Sequence, residues 1–245
     1  MKLYNIRVLI LSRGRYETIT THRVLPEWVE IVVPESEKEL YANVVANPLI
    51  TIPDNVIGLG NVRNWILKNV PEETVIMADD DIKCCYCLTH EFTERVPNGD
   101  AVMQVLINTA VMANDMGVKC FGFAQTDIRK FNACDPFKLN TWVGGVIGII
   151  GRKYEFRKDK FKVDIDYCLQ NLLVERIVFQ DTRYTFPQAR DNNKGGNSIY
   201  RTEEAYMASI ATLQDKWGDN IKVKWHKGQV NISLNVKRRQ SVEIE

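Results

Sequence analysis

Three consecutive aspartates, Asp79, Asp80 and Asp81, follow the apolar residues 74–77. Carboxylates crowded at the end of a buried strand repel one another, so without a counter-charge at least one is driven toward protonation. A divalent cation is the usual compensation, because hard oxygen ligands suit Mg²⁺ or Mn²⁺. A cation held there can bind a diphosphate, which is the chemistry of nucleotide and nucleotide-sugar transfer. The alternative is a solvated acidic turn that closes the strand.

The composition is that of an ordinary globular protein. The chain has 245 residues, of which 45% are hydrophobic and 26% charged, enough to bury a core without disulfides. A formal net charge of +1 excludes a global field that recruits nucleic acid or membrane, so a polyanionic partner must meet a local patch. The apolar run at residues 8–11 is too short for a signal peptide or a membrane span, which predicts a cytoplasmic protein without a membrane partner.

The cysteines predict either free thiols or a zinc site. Cys84, Cys85 and Cys87 cluster, and the other three of the six cysteines are scattered. Because no second pair completes a four-ligand zinc site, free thiols buried as small hydrophobes are favoured. Zinc stays open as an alternative, because the cluster lies next to the acidic triplet.

Alternating apolar segments predict how the triplet is positioned. We expect strands at residues 6–11, 28–33, 49–52 and 74–77, separated by helices at 16–25, 36–47 and 61–69. Such alternation favours an α/β fold with a mostly parallel central sheet flanked by helices. Farther along, we expect helices at 101–116, from 164 and at 203–217, a strand at 119–123, an apolar stretch at 142–150 interrupted by glycines, and a C-terminal hairpin of 221–225 and 230–236. Ligands of parallel sheets bind at the carboxyl ends of the strands, where both the triplet and the Ser-Arg-Gly-Arg segment 12–15 fall.

The order of these motifs resembles that of the GT-A glycosyltransferases. The matching segments are Ser-Arg-Gly-Arg at 12–15, an acidic residue after the second strand, Gly-Leu-Gly-Asn-Val-Arg-Asn at 58–64, and Ala-Asp-Asp-Asp at 78–81. More narrowly, the first and last of them resemble phage glycosyltransferases associated with TET/JBP oxygenases. The resemblance implies a Rossmann-like fold with a smaller acceptor-side region. The simplest division of the sequence is one domain over residues 1–245, with a nucleotide-sugar half at 1–90 and an acceptor half at 91–245. The cytoplasm would be that of the host cell if the chain is phage-encoded.

The resemblance also implies a metal, Mn²⁺ or Mg²⁺, held by an Asp-x-Asp motif. Asp81 would bind the metal directly, and Asp79 or Asp80 would share it or hold the ribose hydroxyls. A C-terminal histidine is a further ligand in many members of the family, and His226 is the candidate here.

The donor implied by the resemblance is a nucleoside-diphosphate sugar, with UDP-sugar preferred. Ser12, Arg13 and Arg15 would line the nucleotide pocket, and Glu35 would meet the base or the ribose. Arg63 would lie near the diphosphate or support the acidic triplet.

An acidic motif at the start of a later helix supplies the general base in such enzymes. Asp164 holds that place, and Asp166 is the reserve candidate. A single displacement assisted by this base would invert the anomeric centre. The simpler interpretation of Asp164 is a helix N-cap.

The preferred acceptor implied by the resemblance is hydroxymethyl-pyrimidine DNA, and a glycan or a protein is the alternative. The basic residues of segment 152–162, with interleaved Tyr154, Phe156 and Phe161, could meet phosphates and stack on bases; a solvated charged loop is the competing interpretation. Two other functions stay open: a sugar nucleotidyltransferase, and a catalytically dead relative that binds nucleic acid. The sequence leaves the oligomeric state open.

Overall fold

The computed structural model describes residues 5–88, 93–124, 135–159, 161–189, 195–196, 202–226 and 229–237, without the side chains of residues 225, 226 and 229. The strands are β1 (Ile6–Leu11), β2 (Glu30–Pro34), β3 (Leu49–Ile52), β4 (Thr74–Asp79), β5 (Cys85–Leu88), β6 (Thr93–Val96), β7 (Cys120–Ala124), β8 (Phe137–Lys138), β9 (Val146–Ile150), β10 (Phe179–Thr185), β11 (Ile221–His226) and β12 (Gln229–Leu234). The α-helices are α1 (Lys38–Ala42), α2 (Leu59–Asn69), α3 (Asp100–Asp115), α4 (Val163–Val174) and α5 (Glu203–Trp217).

One large sheet runs in the order β3-β2-β1-β4-β9-β7-β10-β5-β6, with β8 paired to β10. The strands from β3 to β4 are mutually parallel, whereas β9 is antiparallel to both of its neighbours, β4 and β7. The predicted α/β class with a mostly parallel sheet is confirmed. The predicted C-terminal hairpin forms as the separate sheet β11-β12.

Hydrophobic layers cover both faces of the sheet. Along β1, Val8 and Ile10 belong to the layer that contains α3, whereas Leu9 and Leu11 belong to the layer that contains α2, α4 and Leu213 of α5. Because consecutive strand residues point to opposite faces, β1 is buried on both sides. This is why its sequence is a continuous apolar run rather than an alternating one.

Two predicted helices differ from the structure, and several strands were not expected. Residues 16–25, expected to be a helix, form turns and one 3₁₀ turn, Thr21–Arg23, because the backbone of Thr20 and Thr21 instead bonds to the strand-end aspartates. The helix expected at 36–47 shrinks to a 3₁₀ turn, Glu35–Glu37, followed by the short α1. The hairpin β5-β6 and the strand β10, rich in polar residues, were not predicted.

The predicted nucleotide and acceptor halves share the sheet. Strand β9, from the acceptor half, lies between β4 of the nucleotide half and β7. Strand β5 of the nucleotide half and strand β6, the first of the acceptor half, lie at the opposite edge of the sheet from β3. Within the described ranges, no helix is both long and apolar enough to cross a bilayer.

Candidate functional site

The acidic triplet and the Ser-Arg-Gly-Arg segment meet because β1 and β4 are parallel neighbours. Leu11 pairs with Asp79, and Leu11 also pairs with Val32 of β2. The residues that follow β1 and β4 therefore emerge at one edge of the sheet, the carboxyl edge where ligands of parallel sheets bind. The structure brings the two predicted motifs together at this edge.

Asp80 is the centre of a buried hydrogen-bond network. Ser12 Oγ donates to Asp80 Oδ2 at 2.6 Å, and Arg15 Nη1 donates to Asp80 Oδ1 at 2.6 Å. Burial raises the pKa of Asp80, and the charge of Arg15 opposes that rise. Both carboxylate oxygens thus accept from segment 12–15, so Asp80 fixes Arg15 at the edge of the sheet.

Tyr41 of α1 completes this network. Its hydroxyl lies 2.6 Å from Ser12 Oγ and accepts a hydrogen bond from the Arg15 backbone N–H at 3.1 Å. Because Ser12 gives its single proton to Asp80, the tyrosine hydroxyl must donate to Ser12. Burial raises the pKa of Tyr41 to about 12, which keeps the hydroxyl protonated and able to donate.

Asp79 and Asp81 point toward a common partner, Gln188. Gln188 Nε2 donates to Asp79 Oδ2 at 2.9 Å and to Asp81 Oδ1 at 3.0 Å. Burial raises the pKa of both aspartates; the charges of Asp81 and Asp164 add to the rise at Asp79, and that of Asp80 adds to it at Asp81. The two side chains form a negatively charged pair with incomplete compensation.

Arg63 lies directly behind Asp79. Only 1% of Arg63 is exposed, and its Nη2 is 3.6 Å from Asp79 Oδ1. Its guanidinium carbon sits 5.2 Å from the ring centroid of Phe156, while Nε and Nη1 have no hydrogen-bond partner. The contact lies on the side of the triplet, and both predicted roles of Arg63, near the diphosphate and in support of the triplet, stay predictions. The unpaired N–H groups leave it with unused capacity to bind an anion.

The neighbouring residues of α2 fix the segment that precedes α4. Asn64 donates from Nδ2 to the Phe156 carbonyl and accepts from the Phe156 N–H, both at 2.8 Å. At Gly60, an added Cβ would lie 2.0 Å from the Arg157 carbonyl oxygen. The Gly-x-x-Arg-Asn pattern of 60–64 therefore serves close packing and positions Phe156 over Arg63.

The backbone of the triplet is held by segments on either side of it. Thr21 Oγ1 donates to the Asp79 carbonyl at 2.6 Å and accepts from the Ile82 N–H at 2.9 Å. The N–H groups of Thr20 and Thr21 bond to the Asp80 carbonyl, and the Ala189 N–H bonds to that of Asp81. These bonds fix the main chain and leave the side chains of Asp79 and Asp81 as the adjustable parts.

Arg13 and Glu35 lie at the rim of the site. Arg13 Nη2 donates to the Val56 carbonyl at 2.9 Å, and Glu35 is exposed at the start of the 3₁₀ turn after β2. It is Glu37, two residues later, that contacts segment 12–15, since its Oε2 accepts from the Gly14 N–H at 2.6 Å. The predicted nucleotide role of Glu35 is not visible in these contacts.

The two candidate bases lie in different surroundings. Asp164 is partly exposed, and its charge raises the pKa of Asp79, which places it in electrostatic range of the triplet. The N-cap of α4 is Lys162 and not Asp164, so the simpler capping interpretation does not describe Asp164.

Asp166 is fully buried between α4 and α5. Its Oδ1 accepts from Lys216 Nζ at 2.7 Å and from Trp217 Nε1 at 2.8 Å, and its Oδ2 accepts from Gln170 Nε2 at 2.8 Å. With 0% exposure, Asp166 joins the two helices and has no path to a substrate in this conformation.

The predicted metal site is only partly described. Within the described ranges, no group of three or more His, Cys, Asp and Glu side chains is arranged to hold a metal ion, so neither the cysteine cluster nor the triplet forms a complete site there. Cys84, Cys85 and Cys87 are free thiols. The side chain of His226 lies outside the described part. Asp79 and Asp81 fit a divalent cation as two oxygen ligands, because both already converge on one polar atom.

The two arginines of the basic segment before α4 donate to groups of the protein itself. Arg152 donates to the carbonyls of Leu67, Val70, Glu72 and Glu73 and so caps the end of α2. Arg157 pairs with Asp159 and also donates to the Ser209 carbonyl.

The aromatic residues of the same segment are packed, contrary to the expectation that they are free to stack on bases. Phe156 is 1% exposed and lies 4.1 Å from the Tyr167 ring, measured between centroids; Phe161 is 5% exposed and contacts Tyr206. Their rings complete the hydrophobic layer around α4. Burial of large aromatic rings is more favourable than their exposure to solvent, which explains this packing. Lys160 lies outside the described residues.

Sequence reasoning missed the residues that support the site from outside its motifs. Tyr41, Thr21 and Gln188 are single polar residues in ordinary surroundings, and Gln188 lies more than a hundred positions from the triplet. Glu37 was close to a predicted position. The Pro-Gln pair at 187–188, after a strand, was the only local signal for Gln188, and it is a weak one.

Comparisons with known proteins identify the family and the fold. The profile of a family described as TET-Associated Glycosyltransferase matches residues 6–196, and no curated protein matches the chain significantly. Among solved structures, a crystal structure of a mycobacterial protein is 12% identical, with 94% of this chain and 83% of that chain covered and a TM-score of 0.52.

Two further structures carry nucleotides. Glucosyl-3-phosphoglycerate synthase from Mycobacterium tuberculosis, in complex with Mn²⁺, UDP and phosphoglyceric acid, is 12% identical over 94% of this chain and 86% of that chain, with a TM-score of 0.51. S. aureus TarS 1-349 with UDP-GlcNAc is 14% identical over 84% of this chain, with a TM-score of 0.49. The chain spans 65% of the length of that TarS structure. The likeness to the mycobacterial structures shows the GT-A fold, and the profile covers most of the sequence: the chain belongs to the TET-associated glycosyltransferase family.

Proposed function

We propose that the protein transfers a sugar from a nucleoside-diphosphate sugar, with UDP-sugar preferred, to an acceptor hydroxyl in a metal-dependent reaction. The observation that carries the proposal is the convergence of Asp79 and Asp81 at the carboxyl end of β4, with Asp164 in electrostatic range of Asp79. Family membership supports the reaction class. The mycobacterial structural neighbour that contains Mn²⁺ and UDP supports the donor class.

On the donor side, Asp79 and Asp81 would hold Mn²⁺ or Mg²⁺, with His226 as a further ligand. The bound cation would neutralise the charge that develops on the leaving diphosphate. Arg63, which is 1% exposed, would act through Asp79, because its positive charge 3.6 Å from that carboxylate supports the triplet from behind.

Segment 12–15 would form the wall of the nucleotide pocket. Ser12 and Asp80 act through Arg15, whose guanidinium they orient toward the triplet. Arg13 and Glu35 would contact the base or the ribose from the rim of the site.

On the acceptor side, Asp164 would take the proton of the attacking hydroxyl. A carboxylate is an effective base when it is poised near the working pH and lies within hydrogen-bond reach of the proton. A single displacement of this kind inverts the anomeric centre. Asp166, the reserve candidate, would support Asp164 by holding α4 against α5.

Hydroxymethyl-pyrimidine DNA is the preferred acceptor, because the family is described by its association with TET. A base in duplex DNA would have to be flipped out of the stack to reach Asp164. A glycan or protein acceptor is the second candidate. It is favoured by the internal use of Arg152 and Arg157 and by the buried ring of Phe156, which remove much of the expected DNA-binding patch.

The test is incubation with Mn²⁺, a panel of nucleotide sugars and hydroxymethylated DNA, followed by mass spectrometry of the digested nucleosides. We expect one nucleoside to gain the mass of one sugar, and we expect Asp81→Asn to abolish the gain. Asp115→Asn, the same substitution on the exposed face of α3, is the matched control. Hydrolysis of the nucleotide sugar without nucleoside modification would overturn the DNA acceptor and favour a glycan or protein. DNA binding without any turnover would overturn the enzyme.

A further inference from the structure

Gln188 occupies the point at which the two outer carboxylates of the triplet converge. Its Nε2 lies 2.9 Å from Asp79 Oδ2 and 3.0 Å from Asp81 Oδ1. The other oxygens of these carboxylates face arginines: Asp79 Oδ1 lies 3.6 Å from Arg63 and Asp81 Oδ2 lies 3.7 Å from Arg15. The amide group thus bridges the two oxygens that point away from the arginines.

The main chain around Gln188 is fixed to the main chain of the triplet. Gln188 forms a bridge with Ile82, the Lys83 N–H donates to the Pro187 carbonyl at 3.0 Å, and the Ala189 N–H donates to the Asp81 carbonyl at 3.0 Å. Gln188 therefore cannot leave the site by a backbone movement that keeps these bonds. Any change at this point must come from rotation of the side chain.

A cation between Asp79 and Asp81 would meet the N–H face of this amide, and the two would repel each other. The other end of the same group is the oxygen Oε1, a hard ligand of the kind that Mg²⁺ and Mn²⁺ prefer. Rotation about the last side-chain torsion exchanges the two ends, and that torsion is broad and nearly two-fold in glutamine. The exchange keeps the side chain in the same space.

We propose that Gln188 is a metal ligand that alternates between two roles. Without metal, its N–H groups hold Asp79 and Asp81 together; with metal, the amide turns over and Oε1 coordinates the cation beside the two carboxylates. The inference rests on the metal-dependent function proposed above. It supplies a third oxygen ligand where the described residues offer only two converging carboxylates.

The test compares Gln188→Met with the wild-type protein. Methionine keeps the approximate length of the side chain but has neither the N–H donors nor a hard oxygen. Mn²⁺ binding is measured by the loss of the free-ion signal in electron paramagnetic resonance, and thermal unfolding is measured with EDTA. We expect Mn²⁺ to bind about 10- to 100-fold more weakly to the variant and the Tm with EDTA to fall. Gln180→Met, which removes another buried glutamine whose side chain donates to the carbonyls of Phe123 and Trp142, should keep the wild-type Mn²⁺ affinity.

The outcomes separate this inference from the proposed function. If Gln188→Met binds Mn²⁺ as tightly as the wild type or more tightly, while Asp81→Asn does not bind it, the ligand role of Gln188 is wrong and the metal site stands. If the wild type itself binds no Mn²⁺, the metal site and the ligand role both fail. Should Gln188→Met not fold, a structure of the wild type with Mn²⁺ decides: Oε1 within about 2.0–2.3 Å of the ion supports the ligand role, and Nε2 still bonded to the aspartates overturns it.

Discussion

Arg15 Nη1 lies 2.6 Å from Asp80 Oδ1 and 3.7 Å from Asp81 Oδ2, so one guanidinium faces two carboxylates of the triplet. Burial alone would lower the pKa of Arg15, but the charge of Asp80 and its hydrogen bond, together with the charges of Asp81 and Asp79, outweigh burial and raise the pKa. The guanidinium stays charged in any case, whereas a carboxylate can escape an unfavourable environment by protonation. The two halves of the pair are therefore not equivalent.

This asymmetry predicts that Asp80→Asn destabilises the protein more than Arg15→Met. Loss of Asp80 leaves a partly buried guanidinium whose nearest remaining carboxylate oxygen, Asp81 Oδ2, lies 3.7 Å away, which costs about 3 kcal/mol and lowers the Tm by roughly 6–12 °C for a chain of this size. Loss of Arg15 leaves an aspartate that can take up a proton, so its cost is smaller. Thermal unfolding with EDTA at neutral pH measures both.

The control for this comparison is Glu30→Gln, which breaks the half-exposed pair with Arg7. Such pairs contribute roughly 0–1 kcal/mol, so its Tm should stay close to that of the wild type. Equal losses for Asp80→Asn and Arg15→Met would contradict the asymmetry.

The triplet also predicts a pH-dependent effect of Asp81→Asn. Burial raises the pKa of Asp81 above 3.8, its ordinary value. The folded state then holds the proton more tightly than the unfolded state. The tighter proton binding of the folded state stabilises it, and this contribution is complete below pH 3.8. It is lost as the pH rises through the raised pKa of the folded state. An asparagine is always uncharged, so without metal the variant should be the more stable protein at neutral pH, by a few degrees in Tm.

The measurement is the difference in Tm between Asp81→Asn and the wild type across pH with EDTA. The difference should be positive at neutral pH and shrink toward zero below 3.8. Saturating Mn²⁺ should reverse its sign, because a cation that binds the folded wild type stabilises that protein alone. A difference that does not vary with pH would show that the Asp81 carboxylate is not destabilised by burial.

Asp164→Asn and Asp166→Asn should have different effects, the first on turnover and the second on stability. Asp164 is partly exposed beside the triplet, so Asp164→Asn should lower kcat about 100-fold or more with little change in Tm. Asp166 is the buried acceptor for Lys216 and Trp217, so Asp166→Asn should cost about 1–3 kcal/mol of stability and leave turnover measurable. Each variant is its partner's control, and the reverse pattern would assign the base to Asp166.

Asn64→Ala should destabilise the segment that leads to α4. The substitution removes two hydrogen bonds at 2.8 Å and leaves the Phe156 N–H and carbonyl without their partner, at a cost of about 1–3 kcal/mol. Thermal unfolding measures the loss. Asn69→Ala, at an exposed position of the same helix with one bond to the Trp65 carbonyl, should stay within about 0.5 kcal/mol of the wild type. Equal effects at the two positions would refute the positioning role of Asn64.

The nucleotide half was the predictable part of the fold. Its strands are apolar runs, and parallel neighbours bring their carboxyl ends to one edge, so the pattern predicted that segment 12–15 and the triplet fall at that edge. The expected helix at 16–25 failed because Thr20 and Thr21 bond to the triplet instead, a long-range interaction that local propensity does not contain.

The acceptor half was less predictable because its strands are short and partly polar. Strand β10 carries Gln180, Asp181 and Arg183, and its charged pair is formed within the strand. Segment 152–162 was expected at the surface, yet Phe156 is buried by Asn64 and Arg63 of a helix far away in sequence. Composition identified the basic residues correctly but could not show which of them were already used by backbone carbonyls.

The insertion of β9 between β4 and β7 has a consequence for synthesis on the ribosome. One edge of β4 pairs with β1, and the other pairs with β9. Residues 80–145 must be translated after β4 before β9 exists. At synthesis rates of roughly 5–20 residues per second, that edge of the nascent chain stays unpaired for on the order of several seconds. Exposed apolar strand edges are sites of aggregation, so chaperone binding to nascent chains should be strongest in this interval and should end when residue 150 leaves the exit tunnel.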